Sequence, residues 1–215
     1  MVVKQFNSTG LFSCNVYVAS SEKGNILIDP GFYDETIKAY LDSIGGLTAI
    51  LLTHGHWDHL YGLDRLMADF PTAKAYIFEQ DYEFLTNPEL NCSPVMGFSF
   101  VAKAKVQPIQ EGTLHIGAYT IDVIHTPGHT RGSVMYYFRD ENVLFSGDTV
   151  LLDVAGPTFR PTGSDEDMKA SIEKFKQLGY AEDTPVYAGH KDATTYGYLL
   201  THNKDVINYQ GGKKQ

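Results

Sequence analysis

The chain has 215 residues with a hydrophobic fraction of 43% and a charged fraction of 20%, enough apolar material for one globular domain with a sizeable core. Its formal net charge of -9 repels phosphate backbones, so nucleic acid is not expected as a partner. Two cysteines, Cys14 and Cys92, are too few for a disulfide framework, no apolar run approaches the ~18 residues of a membrane span, and the N-terminus lacks a signal-peptide pattern; the sequence predicts a cytoplasmic protein with reduced thiols and no membrane association.

In chain order, residues 15–19 and 25–29 predict two strands joined by a polar turn. Asp34 predicts a helix cap, followed by Ile37, Tyr40, Leu41 and Ile44 on one face, with Gly45-Gly46 as the stop. Residues 49–53 form a short apolar strand, after which Leu60, Leu63, Leu66, Met67 and Phe70 recur at helical spacing until Pro71. Residues 75–78 predict another strand. Residues 86–106 lack a period and carry Asn87-Pro88, Ser93-Pro94 and Gly97, which marks a loop or lid candidate. Strands resume at 119–125, 133–138 and 142–146. Ser164 followed by Asp165, Glu166 and Asp167 is a capped helix start, with Met168, Ile172, Phe175 and Leu178 on one face and Gly179 as the stop. Residues 185–188 are a last strand, a final helix begins near Thr195, and 211–215 are expected to fray. Two successive sets of strands and helices predict a single α/β layered domain over 1–210 with its site at one sheet edge.

The chemistry is concentrated in His54-Gly55-His56-Trp57-Asp58-His59, directly behind the strand at 49–53. Several imidazoles and a carboxylate packed this densely need many hydrogen-bond partners or a cation, and they are the ligand types of zinc and related divalent metals. Alternate residues of an extended segment share a side, so His54 and His56 point together, while Asp58 and His59 lie on the next bend and face a second ion. Three further segments each place one ligand-type residue after a strand with glycine before it: Gly128-His129, Gly147-Asp148 and Gly189-His190. Among the remaining histidines, His115 is placed in a solvated turn, His125 in a structural or supporting role and His202 on an exposed helix. Trp57 is read as packing beneath the loop or lining an entrance, and Asp29 as a turn carboxylate or an orienter of a metal ligand.

The order His-x-His-x-Asp-His, then His, Asp and His resembles the metallo-β-lactamase superfamily over nearly the whole chain. The resemblance implies a four-layer αββα sandwich with metals at the edge between two sheets. It implies that His54, His56 and His129 hold a first metal, that Asp58, His59 and His190 hold a second, and that Asp148 bridges them. Within the superfamily the chain looks most like the glyoxalase II (hydroxyacylglutathione hydrolase) group. The matching stretches are Leu27-Ile28-Asp29-Pro30-Gly31, Asn87-Pro88-Glu89-Leu90-Asn91, His125-Thr126-Pro127-Gly128-His129-Thr130, Gly147-Asp148-Thr149, and Gly189-His190 with Thr194-Thr195. Two departures are Arg131, where proline is usual after Gly-His-Thr, and a C-terminus too near His190 for the helical domain that carries much of glutathione recognition. No cysteine lies near the motifs in sequence, which argues against antibiotic hydrolysis.

The expected function is therefore metal-dependent hydrolysis of a small-molecule thioester or related acyl substrate. Two divalent ions, zinc first with iron or manganese also admitted, would share a bridging water of lowered pKa, and Asp58 would orient the resulting hydroxide. The alternatives are a lactonase or esterase on the same site, and an oxygenase of the persulfide dioxygenase type with a single iron on His54, His129 and Asp148. An RNA phosphodiesterase is disfavoured by the acidic balance, and a non-catalytic metal-binding module by the intact ligand set. The sequence does not specify an oligomeric state.

Overall fold

A computed structural model describes residues 1–7 and 14–211. Twelve strands form two six-stranded sheets among the described residues. The first sheet follows chain order: β1 (Val2–Asn7), β2 (Asn15–Ser21), β3 (Gly24–Ile28), β4 (Ala49–Leu52), β5 (Lys74–Phe78) and β6 (Val106–Ile109). The second is β7 (Gly112–Ile116), β8 (Tyr119–His125), β9 (Val134–Phe138), β10 (Val143–Gly147), β11 (Pro185–Ala188) and β12 (Thr194–Thr195). β3 to β6 run parallel, as do β10 and β11, and the other neighbours are antiparallel.

The layering follows from alternation along each strand. In β2 to β5, Tyr17, Ala19, Ile26, Ile28, Leu51, Tyr76 and Phe78 face the second sheet, where they meet Ile121, Val123, Tyr136, Phe138 and Phe145. The intervening Val16, Val18, Leu27, Ile50, Leu52 and Ile77 face outward beneath α1 (Glu35–Ser43), α2 (Trp57–Leu60) and α3 (Leu63–Asp69). On the opposite side Ile124, Met135, Leu144 and Val186 pack under α5 (Asp165–Lys176) and α6 (Tyr196–His202). Both faces of each sheet are thus covered, giving the expected four-layer αββα sandwich. No helix among the described residues is long and apolar enough to cross a membrane.

Most expected elements form within a residue or two of their predicted bounds. The Asp34 carboxylate accepts from the backbone N–H of Thr36 and Ile37 at 3.0 Å each, and the Ser164 hydroxyl accepts from that of Asp167 at 3.2 Å, so both helix caps are real. Four edge elements escaped the sequence pattern: β1, β6, which contains Pro108, β7, which carries the exposed His115 on a strand where a turn was expected, and the two-residue β12. The helix predicted from Leu60 to Phe70 is broken after Tyr61. Gly62 N–H donates to the Pro30 carbonyl at 2.7 Å, and a Cβ at Gly62 would stand 2.8 Å from that same oxygen, so the backbones lie too close for a continuous helix. Residues 86–106 contain two short helical turns, α4 (Pro88–Asn91) and a 3-10 turn at Ser93–Met96. The final helix is followed by a shorter α7 (Lys204–Asn208). Of the tail expected to fray, Gly211 is described and 212–215 lie outside the described residues.

Candidate metal centre

The site forms where strand carboxyl ends meet at one edge of the sandwich. β4 leads into His54 and His56, and α2, a single turn, carries Asp58 and His59. β8, β10 and β11 lead into His129, Asp148 and His190. Hydrogen bonds stitch the two sheets together here: Val134 N–H donates to the Thr53 carbonyl at 2.9 Å, and Asn15 N–H to the Gly189 carbonyl at 2.7 Å. Gly128 sits at φ +136, a conformation closed to most side chains, and at Gly189 a Cβ would fall 2.1 Å from Asp148 Oδ1.

All seven predicted residues converge. Candidate ligand atoms of His54, His56 and His129 lie within 4.8 Å of one another, and so do those of Asp58, His59 and His190. Asp148 stands between the two groups, its Oδ2 lying 3.4 Å from His129 Nε2 and 3.3 Å from His190 Nε2. Its Oδ1 lies 3.7 Å from His59 Nε2.

Hydrogen bonds behind the rings determine where the protons sit. A carbonyl only accepts, so His129 Nδ1–H donates to the Pro157 carbonyl at 2.7 Å and Nε2 is left with a bare lone pair. Asp29 does the same for two more rings. Its Oδ2 accepts from His59 Nδ1 at 3.0 Å and from the Thr53 hydroxyl at 2.6 Å, and its Oδ1 accepts from Thr53 N–H at 2.7 Å. With its hydrogen committed to Asp29, the Thr53 hydroxyl accepts from His54 Nδ1 at 3.1 Å. His54 Nε2 then shares one space with the Asp148 carboxylate, with His129 Nε2 and with His56 Nδ1, which lies 2.8 Å from His129 Nε2. His54 Nε2 and Asp148 Oδ1 are buried without a hydrogen-bond partner. Imidazole nitrogens and carboxylates crowded into a buried space are stabilised by cations held between them. The residues present fit a pair of divalent ions.

The electrostatics agree. Burial, reinforced by the neighbouring imidazoles, holds His54 and His56 well below the ordinary histidine value, and burial also lowers His129. All three are therefore neutral, as metal ligation requires. Burial raises the Asp148 carboxyl, but the imidazoles of His190 and His59 outweigh it and hold Asp148 well below the usual carboxylate range. Burial opposes protonation of His59, yet Asp148, Asp58 and Asp29 push it up to about 10, and Asp148 likewise raises His190. This half of the site demands positive charge.

Other site residues had no usable signal in the sequence. Buried Asp81, on the 3-10 segment Glu79–Leu85, accepts from Gly55 N–H, Gly132 N–H and the Thr130 hydroxyl at 2.8, 2.8 and 2.6 Å, tying the loop of His54 to the loop of His129. Cys92, Val95, Met96, Leu151 and Arg160 join Trp57, His56, Asp58, His129, Asp148 and His190 around a cavity of about 300 Å³. Leu151 and Pro157 also wall a neighbouring cavity of about 670 Å³. Both alternatives for Trp57 hold, since it packs against Phe98 at 5.1 Å between ring centroids while lining the mouth. Asp29 is the orienter of ligands rather than a plain turn carboxylate. His125 is structural, donating from Nε2 to the Arg131 carbonyl at 2.9 Å and stacking on Phe78, while His202 is exposed.

The absence of a cysteine near the motifs is a feature of sequence and not of space. Cys92 lines the cavity, and Cys14 packs behind Asp58: a Cβ at Gly31 would touch both the Asp58 carbonyl and the Cys14 sulfur. Distance along the sequence from the motifs therefore does not speak against antibiotic hydrolysis.

A four-layer αββα sandwich with five imidazoles and two carboxylates gathered at the edge between its sheets defines a class of candidate metal-centre proteins. The chain belongs to the metallo-beta-lactamase superfamily, whose family model matches residues 9–190. It is 34% identical over 191 residues to the "Probable metallo-hydrolase YqgX" of Bacillus subtilis, covering 86% of this chain and 88% of that protein. It is 29% identical to the hydroxyacylglutathione hydrolase of Legionella pneumophila, covering 85% of this chain and 65% of that one. Solved structures similar to this chain include the following two. One is BLEG-1, described as a B3 metallo-beta-lactamase, with TM-score 0.88, 34% identity and coverage of 96% and 100%. The other is TTHA1623 in a di-iron-bound form, with TM-score 0.81, 29% identity and coverage of 93% and 98%.

Proposed function

We propose that this protein is a dinuclear metal-dependent hydrolase of thioesters or related acyl compounds. The observation that carries this reading is the convergence of five imidazoles and two carboxylates in one largely buried site. In this reading His54, His56 and His129 would hold one ion, Asp58, His59 and His190 would hold the other, and Asp148, between the two groups, would contribute to both. When bound, the ions would supply Lewis acidity and lower the pKa of water enough for attack near neutral pH. Asp58, half-buried at the mouth with Oδ2 3.6 Å from His190 Nε2, orients the attacking water toward the acyl carbon. Trp57, Val95 and Met96 limit bulk water around the substrate. A thiolate leaving group needs little protonation, because thiol pKa values lie near about 8.5, and among the described residues no free general acid is required to assist it. The likeness to a hydroxyacylglutathione hydrolase supports the thioester class. Two free cysteines are consistent with the cytoplasmic location we also propose.

A second reading, hydrolysis of a β-lactam amide on the same residues, is favoured by the 34% identity to a structure described as a B3 metallo-beta-lactamase. The test is metal analysis of protein purified without added metal, followed by kcat/KM on thioesters, lactones and β-lactams. Two ions per chain and thioester turnover are expected, with zinc as the proposed metal. One iron per chain with oxygen uptake overturns the hydrolase reading. So does a His56→Ala, Asp58→Ala double variant that matches the parent rate at equal metal content.

A further inference from the structure

Arg160 stands out among the four arginines. Arg131 and Arg139 are paired with Glu83 and Asp122, and Arg65 donates to the Tyr33 carbonyl. The Arg160 guanidinium has no hydrogen-bond or ion-pair partner among the described residues; its contact is with the ring of Phe159, 4.9 Å from the ring centroid. It is half-buried and lines the same 300 Å³ cavity as His56, Asp58, His129, Asp148 and His190.

The segment that carries it is fixed relative to the metal centre. Pro157 accepts from His129 Nδ1, and Thr158 donates its hydroxyl to Asp165. Gly163 N–H closes onto the Arg160 carbonyl at 2.9 Å, Arg131 N–H donates to the Thr162 hydroxyl at 3.1 Å, and Ser164 N–H donates to the Gly128 carbonyl at 2.9 Å. At Gly163 a Cβ would fall 2.1 Å from the Thr158 carbonyl oxygen, so the turn is closely packed. A partly desolvated guanidinium, oriented by an aromatic face and without a counter-ion, is a prepared site for a planar anion. In a chain of net charge -9 such a cation at the mouth also offsets the general repulsion of anionic substrates.

We propose that Arg160 binds a carboxylate of the substrate, making the substrate class an acyl compound with an anionic substituent. This rests on the acyl-hydrolase reading above, and its test separates the two. In the zinc-loaded protein, kcat/KM is compared for two carboxylate thioesters, S-acetylthioglycolate and S-phenyl monothiosuccinate, and for the methyl ester of each. The pair shows whether the anion lies on the thiol side or the acyl side. The parent is expected to prefer at least one acid over its ester by about 10- to 100-fold, the range of a charge-assisted contact. Arg160→Ala brings that ratio close to one, chiefly through KM, and Arg160→Lys leaves an intermediate ratio. An acid-to-ester ratio unchanged in Arg160→Ala overturns the proposal. If no thioester is turned over, the hydrolase reading fails while calorimetry still decides on Arg160. Dicarboxylates from malonate to adipate are titrated against monocarboxylates of equal length. A preference for one dicarboxylate that Arg160→Ala abolishes supports the anchor, and a preference untouched by the substitution, or absent from the parent, overturns it.

Discussion

Asp29 shows how much of a metal site is decided one residue behind the ligands. Its two oxygens accept from the Thr53 amide, the Thr53 hydroxyl and His59 Nδ1, and so fix the tautomers of two candidate ligands. Asp29→Asn replaces one acceptor by a donor facing donors. We expect metal affinity, measured by chelator competition, to fall about 10- to 100-fold while the helical circular dichroism is retained. At Gly189 the constraint is steric. Gly189→Ala sets a methyl group against Asp148 Oδ1 and 2.7 Å from His59 Cε1, so we expect the metal content found by elemental analysis to fall below the parent's. The seven ligand-type residues were legible in the sequence because they arrive as a dense motif followed by three Gly-preceded singles. Asp29 was visible only as an open alternative, and Asp81 and Arg160 not at all. Their roles come from contacts made across the fold, such as the 2.6 Å bond from the Thr130 hydroxyl to Asp81, and no local pattern encodes those.

At the level of elements, the 3-10 segment Glu79–Leu85 acts as a brace. Burial pushes the Asp81 carboxyl up to about 6, against the hydrogen bonds from Thr130, Gly55 and Gly132. A folded-state pKa above the unfolded value of about 3.9 means that the native state holds the proton more tightly. Stability from this group is therefore greatest below about pH 4 and declines as pH rises through about 6. Denaturant titrations of the parent and Asp81→Asn at pH 4 and pH 7 isolate it. The parent's advantage over the variant should shrink between those values by on the order of 3 kcal/mol; a constant difference contradicts the assignment. Among elements, those with an apolar period or a cap were legible, including α1 and α5. The edge strands β1, β6 and β7 were not, because half of each faces solvent and their polar positions mimic loops. The break before α3 was hidden because it arises from the close approach of Gly62 to Pro30, distant in sequence.

On the scale of the molecule, the layered fold was legible from two successive sets of strands and helices, and the resemblance supplied the number of layers. The pairing order within each sheet was not, since apolar strands of similar length are interchangeable by pattern alone. The middle of the sandwich is aromatic: Phe145 is fully buried and meets Tyr17, Phe138 and Tyr187 at 5.6, 5.5 and 5.3 Å between ring centroids. Phe145→Ala should cost about 3–5 kcal/mol in equilibrium unfolding, and retention of a single transition by circular dichroism and tryptophan fluorescence would show that the two sheets melt together.

Each sheet is drawn from one continuous half of the chain, β1 to β6 and then β7 to β12, while the candidate ligands come from both. During synthesis the ribosome therefore delivers His54 to His59 long before His129, Asp148 and His190 exist. An ion captured early has only part of its eventual cage, so tight capture must wait until His190 has been made.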